Sequence, residues 1–216
     1  MLDFKEYVSI CEAIRPLHKG EKGIIVFDID DTLLRVDSSM LSVYKRVPGS
    51  NKEIRLSTEE LAKDPDTRDP DKASWYDYRD FQNPELVYQS IINGTPIIRN
   101  LRILDNYILA GYEMCFLTAR ACEDTIKAAL SSFLKVRTKS GALQELGDEF
   151  NKTLSAAVND QYKSYKGRTD AEKKKNVLLN LCRQYDKVIF VDDDSKNLRA
   201  AKTLNQDNLK IIKSQK

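Results

Sequence analysis

The chain has one histidine, His18, among 216 residues, and that scarcity removes whole classes of chemistry. A Ser-His or Cys-His pair would have to recruit it from the loop-like stretch Pro16-Leu17-His18-Lys19-Gly20. Cysteine is also sparse. Cys11, Cys115, Cys122 and Cys182 form no CxxC pair, which argues against a zinc site of ordinary ligand spacing. Cys115 falls in an apolar strand pattern and Cys182 on an apolar helix face, so both read as core residues rather than nucleophiles. No apolar run approaches the length a bilayer requires. Met1-Leu2-Asp3-Phe4-Lys5-Glu6 carries acids where a secretion signal needs bases, and no long apolar stretch follows. The expectation is a cytoplasmic protein with no membrane partner. Charge of one sign is lacking too. The formal net charge of +2 neither favours nor excludes nucleic acid, because a basic groove can sit inside a near-neutral total. Chemistry is left to carboxylates, hydroxyls and lysines.

Carboxylates are plentiful, and the most informative group ends the tract Ile24-Ile25-Val26-Phe27-Asp28-Ile29-Asp30-Asp31-Thr32-Leu33. Four apolar residues after Gly23 predict a strand buried on both faces. Three acids in four positions then fall just past its carboxyl end, where open parallel α/β sheets bind ligands. Acids this close repel one another unless a cation or a shared proton intervenes. A hard divalent ion such as Mg²⁺ supplies that compensation.

Alternation of strands and helices sets the fold class. A helix is expected over residues 3–15, ended by Pro16 and Gly20, and strand one over 23–28. Residues 40–56 read as a β-hairpin around Pro48-Gly49, and Ser57-Thr58-Glu59-Glu60 as a capped helical turn. Residues 63–72 read as a solvated loop. Its Asp64, Asp66, Asp69 and Asp71 lack the glycine and glutamate of a calcium loop. Trp75, Tyr76, Tyr78 and Phe81 either stack on a substrate base or pin the insert to the body, and packing is the commoner use. A helix is expected from 97, with Ile97, Ile98, Leu101, Leu104, Ile108 and Leu109 as its apolar residues and Gly111 ending it. Further strands are expected at 112–117, 154–158, 188–191 and 209–212, and helices at 122–134, 142–150 and 195–204, with another capped by Thr169 or Asp170 that carries Val177, Leu178, Leu181 and Cys182 inward. The pattern is α/β with a Rossmann-like, doubly wound parallel sheet.

In such a sheet Asp28, Asp30, Thr118, Asp192 and Asp193 share one edge. The tract Lys173-Lys174-Lys175 opens a helix at the same edge. Lys174 lies three, four and seven residues before Val177, Leu178 and Leu181, on the inward face, which favours it over Lys173. Metal, hydroxyl and lysine together suit a tetrahedral dianion. Asp31 and Asp194 are spare acids, expected to be exposed or helix-capping. Asn197 is a candidate to support Asp193, and Arg120 is open between a structural salt bridge and substrate contact.

These motifs resemble those of the haloacid dehalogenase-like (HAD) phosphatase superfamily. Asp28-Ile29-Asp30-Asp31-Thr32 matches its DxDxT/V motif, Thr118 its second motif, the lysine its third and Asp192-Asp193 its acidic fourth. The resemblance spans residues 23 to about 212. It implies that residues 1–22 form an N-terminal helical segment and 23–216 a catalytic domain, with a hairpin flap and a small cap insert at about 35–95. It further implies that Asp28 attacks phosphorus to give an aspartyl-phosphate and that Asp30 serves as acid and base. Mg²⁺ would be held by Asp28, the Asp30 backbone carbonyl, Asp193 and Asp192. Phosphate would be held by Thr118, the backbone N–H groups of Ile29 and Ala119, and Lys174 or alternatively Lys173. Dehalogenation is disfavoured because Asp30 is present. A reduced cap leaves the site open to larger substrates, and the motif spacing also resembles polynucleotide 3′-phosphatase domains and 5′-nucleotidases. The expected partner is therefore a phosphorylated substrate, either a small molecule or a nucleic-acid end. The alternatives are a phosphatase of metabolites or phosphoproteins, and a catalytically idle binding or structural module.

Overall fold

The computed structural model of the protein describes residues 14–137, 154–157, 167 and 169–214. Its regular elements in chain order begin with β1 (Gly23–Phe27), β2 (Leu34–Arg35), β3 (Ser42–Arg46), β4 (Glu53–Ser57) and α1 (Thr58–Lys63). There follow β5 (Tyr76–Asp77), α2 (Pro84–Ile92), β6 (Thr95–Pro96), α3 (Ile98–Leu109), β7 (Glu113–Thr118) and α4 (Glu123–Arg137). The last are β8 (Leu154–Ala157), α5 (Asp170–Cys182), β9 (Lys187–Asp192), α6 (Ser195–Lys202) and β10 (Leu209–Lys213). The helix expected over 3–15 falls almost wholly outside the described residues, as does the one expected at 142–150. Residues 14–22 form no helix. They run as a loop with a turn in which Glu21 N donates to His18 O at 2.9 Å.

Five strands make the central sheet in the order β10-β9-β1-β7-β8, and every pairing is parallel. The chain builds outward from β1 on one side and then returns to build outward on the other. The order therefore reverses next to β1, where a crevice opens at the carboxyl ends of the strands. β1 is fully buried because its side chains alternate between two cores. Ile25 and Phe27 pack with Leu101, Leu104, Ile126 and Phe133 from α3 and α4. Ile24 and Val26 pack with Val177, Leu178, Leu181 and Leu198 from α5 and α6. Register sets the site: Phe27 lies level with Val191 on β9 and with Phe116 on β7. The residues that follow these positions meet at one edge.

Between Leu34 and Pro96 the chain leaves the sheet through a neck, where β2 pairs antiparallel with β6. Beyond it, β3 and β4 form the expected hairpin, and β5 adds to the other side of β3. Gly49 takes φ +74° in the connecting turn, a conformation glycine reaches without steric cost. Ser57 caps α1 through a reciprocal pair of bonds with Glu60. The 63–72 stretch is not simply a solvated loop. It winds into two 3₁₀ turns capped by Asp64 and Asp69, and the Lys45 ammonium bonds Asp64 at 2.6 Å and Asp66 at 2.7 Å.

Two further readings need correction. Residues 84–92, for which the sequence suggests no element, form the nine-residue helix α2, started by Asn83 as cap and Pro84 in its first turn. It buries Val87 and Ile91 in the same core as Phe27, so it belongs to the helical layer. In α3, Ile98 and Leu109 point outward at 50% and 69% exposure, and Asn100, Ile103 and Tyr107 are buried instead. Asn100 is held there by bonds to Thr32 O at 2.5 Å and Ser214 Oγ at 2.7 Å.

Candidate active site

The turn after β1 wraps around one carbonyl. Ile29 O accepts from the N–H groups of Thr32, Leu33 and Leu34 at 3.4, 2.9 and 3.1 Å. Closing so tight a loop puts Asp31 at φ +54°, a region that Asp tolerates better than bulky residues do. Ile29 sinks its side chain fully into the core, leaving only its backbone for ligand contact. Asp28 stays at the sheet edge, 7% exposed, with its N–H bonded to Val191 O at 3.0 Å.

Lys174 closes this edge from α5. A capping box between Thr169 and Glu172 starts that helix and fixes its rotation, so that Val177, Leu178 and Leu181 face the sheet together with Lys174. Its ammonium, 2% exposed, donates to Asp28 Oδ1 at 2.8 Å and to Asp192 Oδ2 at 2.9 Å. Lys173 instead turns to Asp170 at 3.5 Å. Burial works against the Lys174 charge, but Asp28 and Asp192 outweigh it and hold the ammonium above its ordinary range. Burial raises the Asp28 pKa well above the usual carboxylate range, the charges of Asp192 and Asp30 add to the rise, and Lys174 opposes it.

Asp192 is the wholly buried last residue of β9. Beyond Lys174 it accepts from Asp194 N at 2.8 Å and from the Asn197 side-chain amide at 2.9 and 3.1 Å. Asn197 thus supports Asp192 rather than Asp193. Asp193 Oδ1 accepts from the buried Thr32 hydroxyl at 3.3 Å. Asp194 caps α6 through Lys196 N. Carboxylate oxygens of Asp28, Asp192 and Asp193 lie within 4.8 Å of one another. Among the described residues, three carboxylates and one ammonium meet in a mostly buried place, with negative charge in surplus. Hard oxygen donors with that surplus fit a divalent cation.

The Asp30 carboxylate is not part of this cluster. Arg120, 1% exposed, grips it with two parallel bonds, Nε to Oδ2 at 2.8 Å and Nη2 to Oδ1 at 2.5 Å. The third guanidinium nitrogen donates to Ser90 Oγ on α2 at 2.7 Å. The sequence left Arg120 open; in the fold it forms a structural pair with a candidate site residue. Thr118 ends β7 fully buried, with Oγ1 accepting from Arg120 N at 3.2 Å, and Ala119 follows it at the edge of the crevice. Ser90 and Thr32 were not anticipated. Ser90 has no local sequence signal, whereas Thr32 stood at the end of the acidic tract. Burial pushes the Cys115 thiol up to about 12, which fits an inert core residue.

A cavity of about 660 Å³ opens beside Asp30 and Arg120. Its walls come from the insert (Leu41, Leu61, Tyr78 and Phe81) and from the loop after β7 (Ala119 and Ala121). No family model matches this chain, and no curated protein matches it.

Proposed function

We propose that the protein is a divalent-cation-dependent phosphomonoester hydrolase of the HAD type, working through an aspartyl-phosphate on Asp28. The observation that carries this reading is the buried Asp28–Lys174–Asp192 chain at the switch point of the sheet, with Asp193 beside it. Among the described residues the cluster sets one lysine between buried acids, an arrangement with little use as core packing, because buried ion pairs seldom add net stability. It suits a site built to receive an anion next to a cation.

In the first step, an Asp28 carboxylate oxygen bonds to phosphorus while the ester P–O bond breaks. The departing oxygen takes a proton from Asp30. In the second step, water attacks the acyl-phosphate phosphorus, Asp30 takes the water proton, and inorganic phosphate leaves with the Asp28 carboxylate restored. Lys174 remains charged throughout and stabilises the added negative charge. The Thr118 hydroxyl and the backbone N–H groups of Ile29 and Ala119 are assigned to phosphate oxygens. Arg120 orients Asp30. Both Asp30 oxygens accept from the guanidinium, and the bond to the protonated oxygen weakens when Asp30 carries its proton. Asp28, Asp192, Asp193 and the Asp30 backbone carbonyl are assigned to the cation, proposed to be Mg²⁺. When bound, it offsets the repulsion between carboxylate nucleophile and phosphate dianion. The β3–β4 hairpin is assigned as the flap over this site.

One observation favours a second reading, a catalytically idle binding module: the Arg120 fork occupies both Asp30 oxygens. Turnover of p-nitrophenyl phosphate with and without Mg²⁺ separates the two. The hydrolase reading expects metal-dependent turnover that Asp28→Asn abolishes with the fold retained. No turnover with any divalent metal across a broad phosphate panel would sink it.

A further inference from the structure

We infer that the cavity beside Asp30 is a leaving-group subsite for one uncharged planar ring, with Tyr78 and Phe81 as its specificity-determining residues. This rests on the hydrolase reading and names its substrate class: monophosphate esters of ring-bearing alcohols. The two rings meet edge to face, with centroids 6.2 Å apart and planes at 65°. Tyr78 is 42% exposed, a large apolar surface left open toward a cavity of ligand size. Leu41, Leu61 and Val36 supply apolar wall around them.

The aromatic turn is fixed on both sides, so its placement relative to Asp30 is set by the fold. Toward β7, Phe81 O accepts from Ala121 N at 3.4 Å and Gln82 O from Cys122 Sγ at 3.3 Å. Toward the hairpin, the buried Asp80 carboxylate accepts from Ser42 N at 3.0 Å and from the Tyr44 hydroxyl at 3.4 Å. A turn anchored twice offers a ring face at little ordering cost. Charge narrows the occupant further. The described cavity walls include three carboxylates, Asp30, Asp31 and Asp170, and one cation, Arg120, already engaged by Asp30. A second anionic group on the substrate is poorly matched there, and an uncharged ring is well matched.

The test compares 2-naphthylmethyl, benzyl and ethyl phosphates, all alkyl esters, on the full chain with Mg²⁺. Both ring esters should exceed ethyl phosphate in kcat/KM by about tenfold or more, mainly through KM. Tyr78→Ala and Phe81→Ala should each raise KM for the naphthylmethyl ester by about tenfold, leave ethyl phosphate within about twofold, and Tyr78→Phe should keep the preference. Equal turnover of ring and ethyl esters, or equal loss of both in the variants, overturns the subsite and leaves the hydrolase reading standing. Calorimetric binding of 2-naphthylmethylphosphonate, compared with methylphosphonate, reads the subsite without turnover. Naphthyl binding that Tyr78→Ala removes, in a protein that hydrolyses nothing, supports the ring site and overturns the hydrolase reading. No ring-dependent binding overturns the subsite.

Discussion

Lys174 and Lys173 are neighbours in sequence with opposite circumstances. One ammonium sits between two buried carboxylates, and the other pairs at the surface with Asp170. Lys174→Met leaves Asp28 and Asp192 without their shared counter-charge, and its expected cost is about 3–5 kcal/mol. Lys173→Met should stay within about 0.5 kcal/mol. Urea unfolding of the two variants checks the contrast, and equal losses would remove Lys174 from its assigned place. Arg120 invites a chemical test. Arg120→Lys keeps the charge but cannot form the fork on Asp30. Turnover of benzyl phosphate should fall at least about tenfold more than that of p-nitrophenyl phosphate, whose leaving group needs little help from an acid. Equal losses on the two esters would mean that Arg120 does not act through Asp30. Lys174 was legible in the sequence because its spacing to Val177, Leu178 and Leu181 encodes a helix face. The Arg120–Asp30 pair was not, because it joins residues 90 positions apart and nothing local marks the two as partners of each other.

At the scale of elements, β1, β7 and β9 were legible for one reason: burial on both faces produces apolar runs, each closed by polar residues at the functional edge. Helix α2 escaped because nine residues give too short a period, and its start, Asn83-Pro84, resembles loop punctuation. In α3 the 3.6-residue pattern was present, but Asn100 took an inward position that apolarity alone assigns to Ile98. The insert carries its own electrostatic fastening. Bonds from Lys45 hold the Asp64 and Asp66 pKa values below the ordinary carboxylate range, with Lys72 adding to the effect at Asp66. A carboxylate with a depressed folded pKa contributes stability above its unfolded pKa and loses it as pH falls through the folded value. The 3₁₀ turns should therefore loosen from β3 below roughly pH 4. Trp75, the sole tryptophan, closes the second turn with the Lys72 ammonium 5.1 Å from its ring centroid. Its emission should shift red on acidification before far-UV circular dichroism is lost, and Lys45→Met should bring that shift toward neutral pH. Coincident changes in both signals would mean that the insert has no separate fastening.

At the scale of the whole molecule, the proposed cation site at the sheet edge predicts that stability depends on cation supply. A cation that binds only the folded state at 100 times its Kd adds about 2.7 kcal/mol. For a chain of this size that corresponds to a rise in Tm of roughly 5–10 °C. Thermal unfolding with Mg²⁺ and after chelation should show such a shift, reduced in Asp28→Asn and Asp193→Asn. A full shift in both variants would place the cation elsewhere. The sequence could show that acids crowd the ends of β1 and β9. That these strands are adjacent, with Phe27 level with Val191, follows from the order in which the strands assemble.

Asp28 and its counter-charge Lys174 are separated by 146 positions along the chain. A ribosome takes roughly 7–30 s to cover that distance. During that interval the nascent chain can collapse around β1, β7 and the helices between them, but the acidic edge must remain in water. Its burial waits for α5 and β9, which follow β7 along the chain. A chain stalled before α5 should therefore display the acidic edge as an open, hydrated seam.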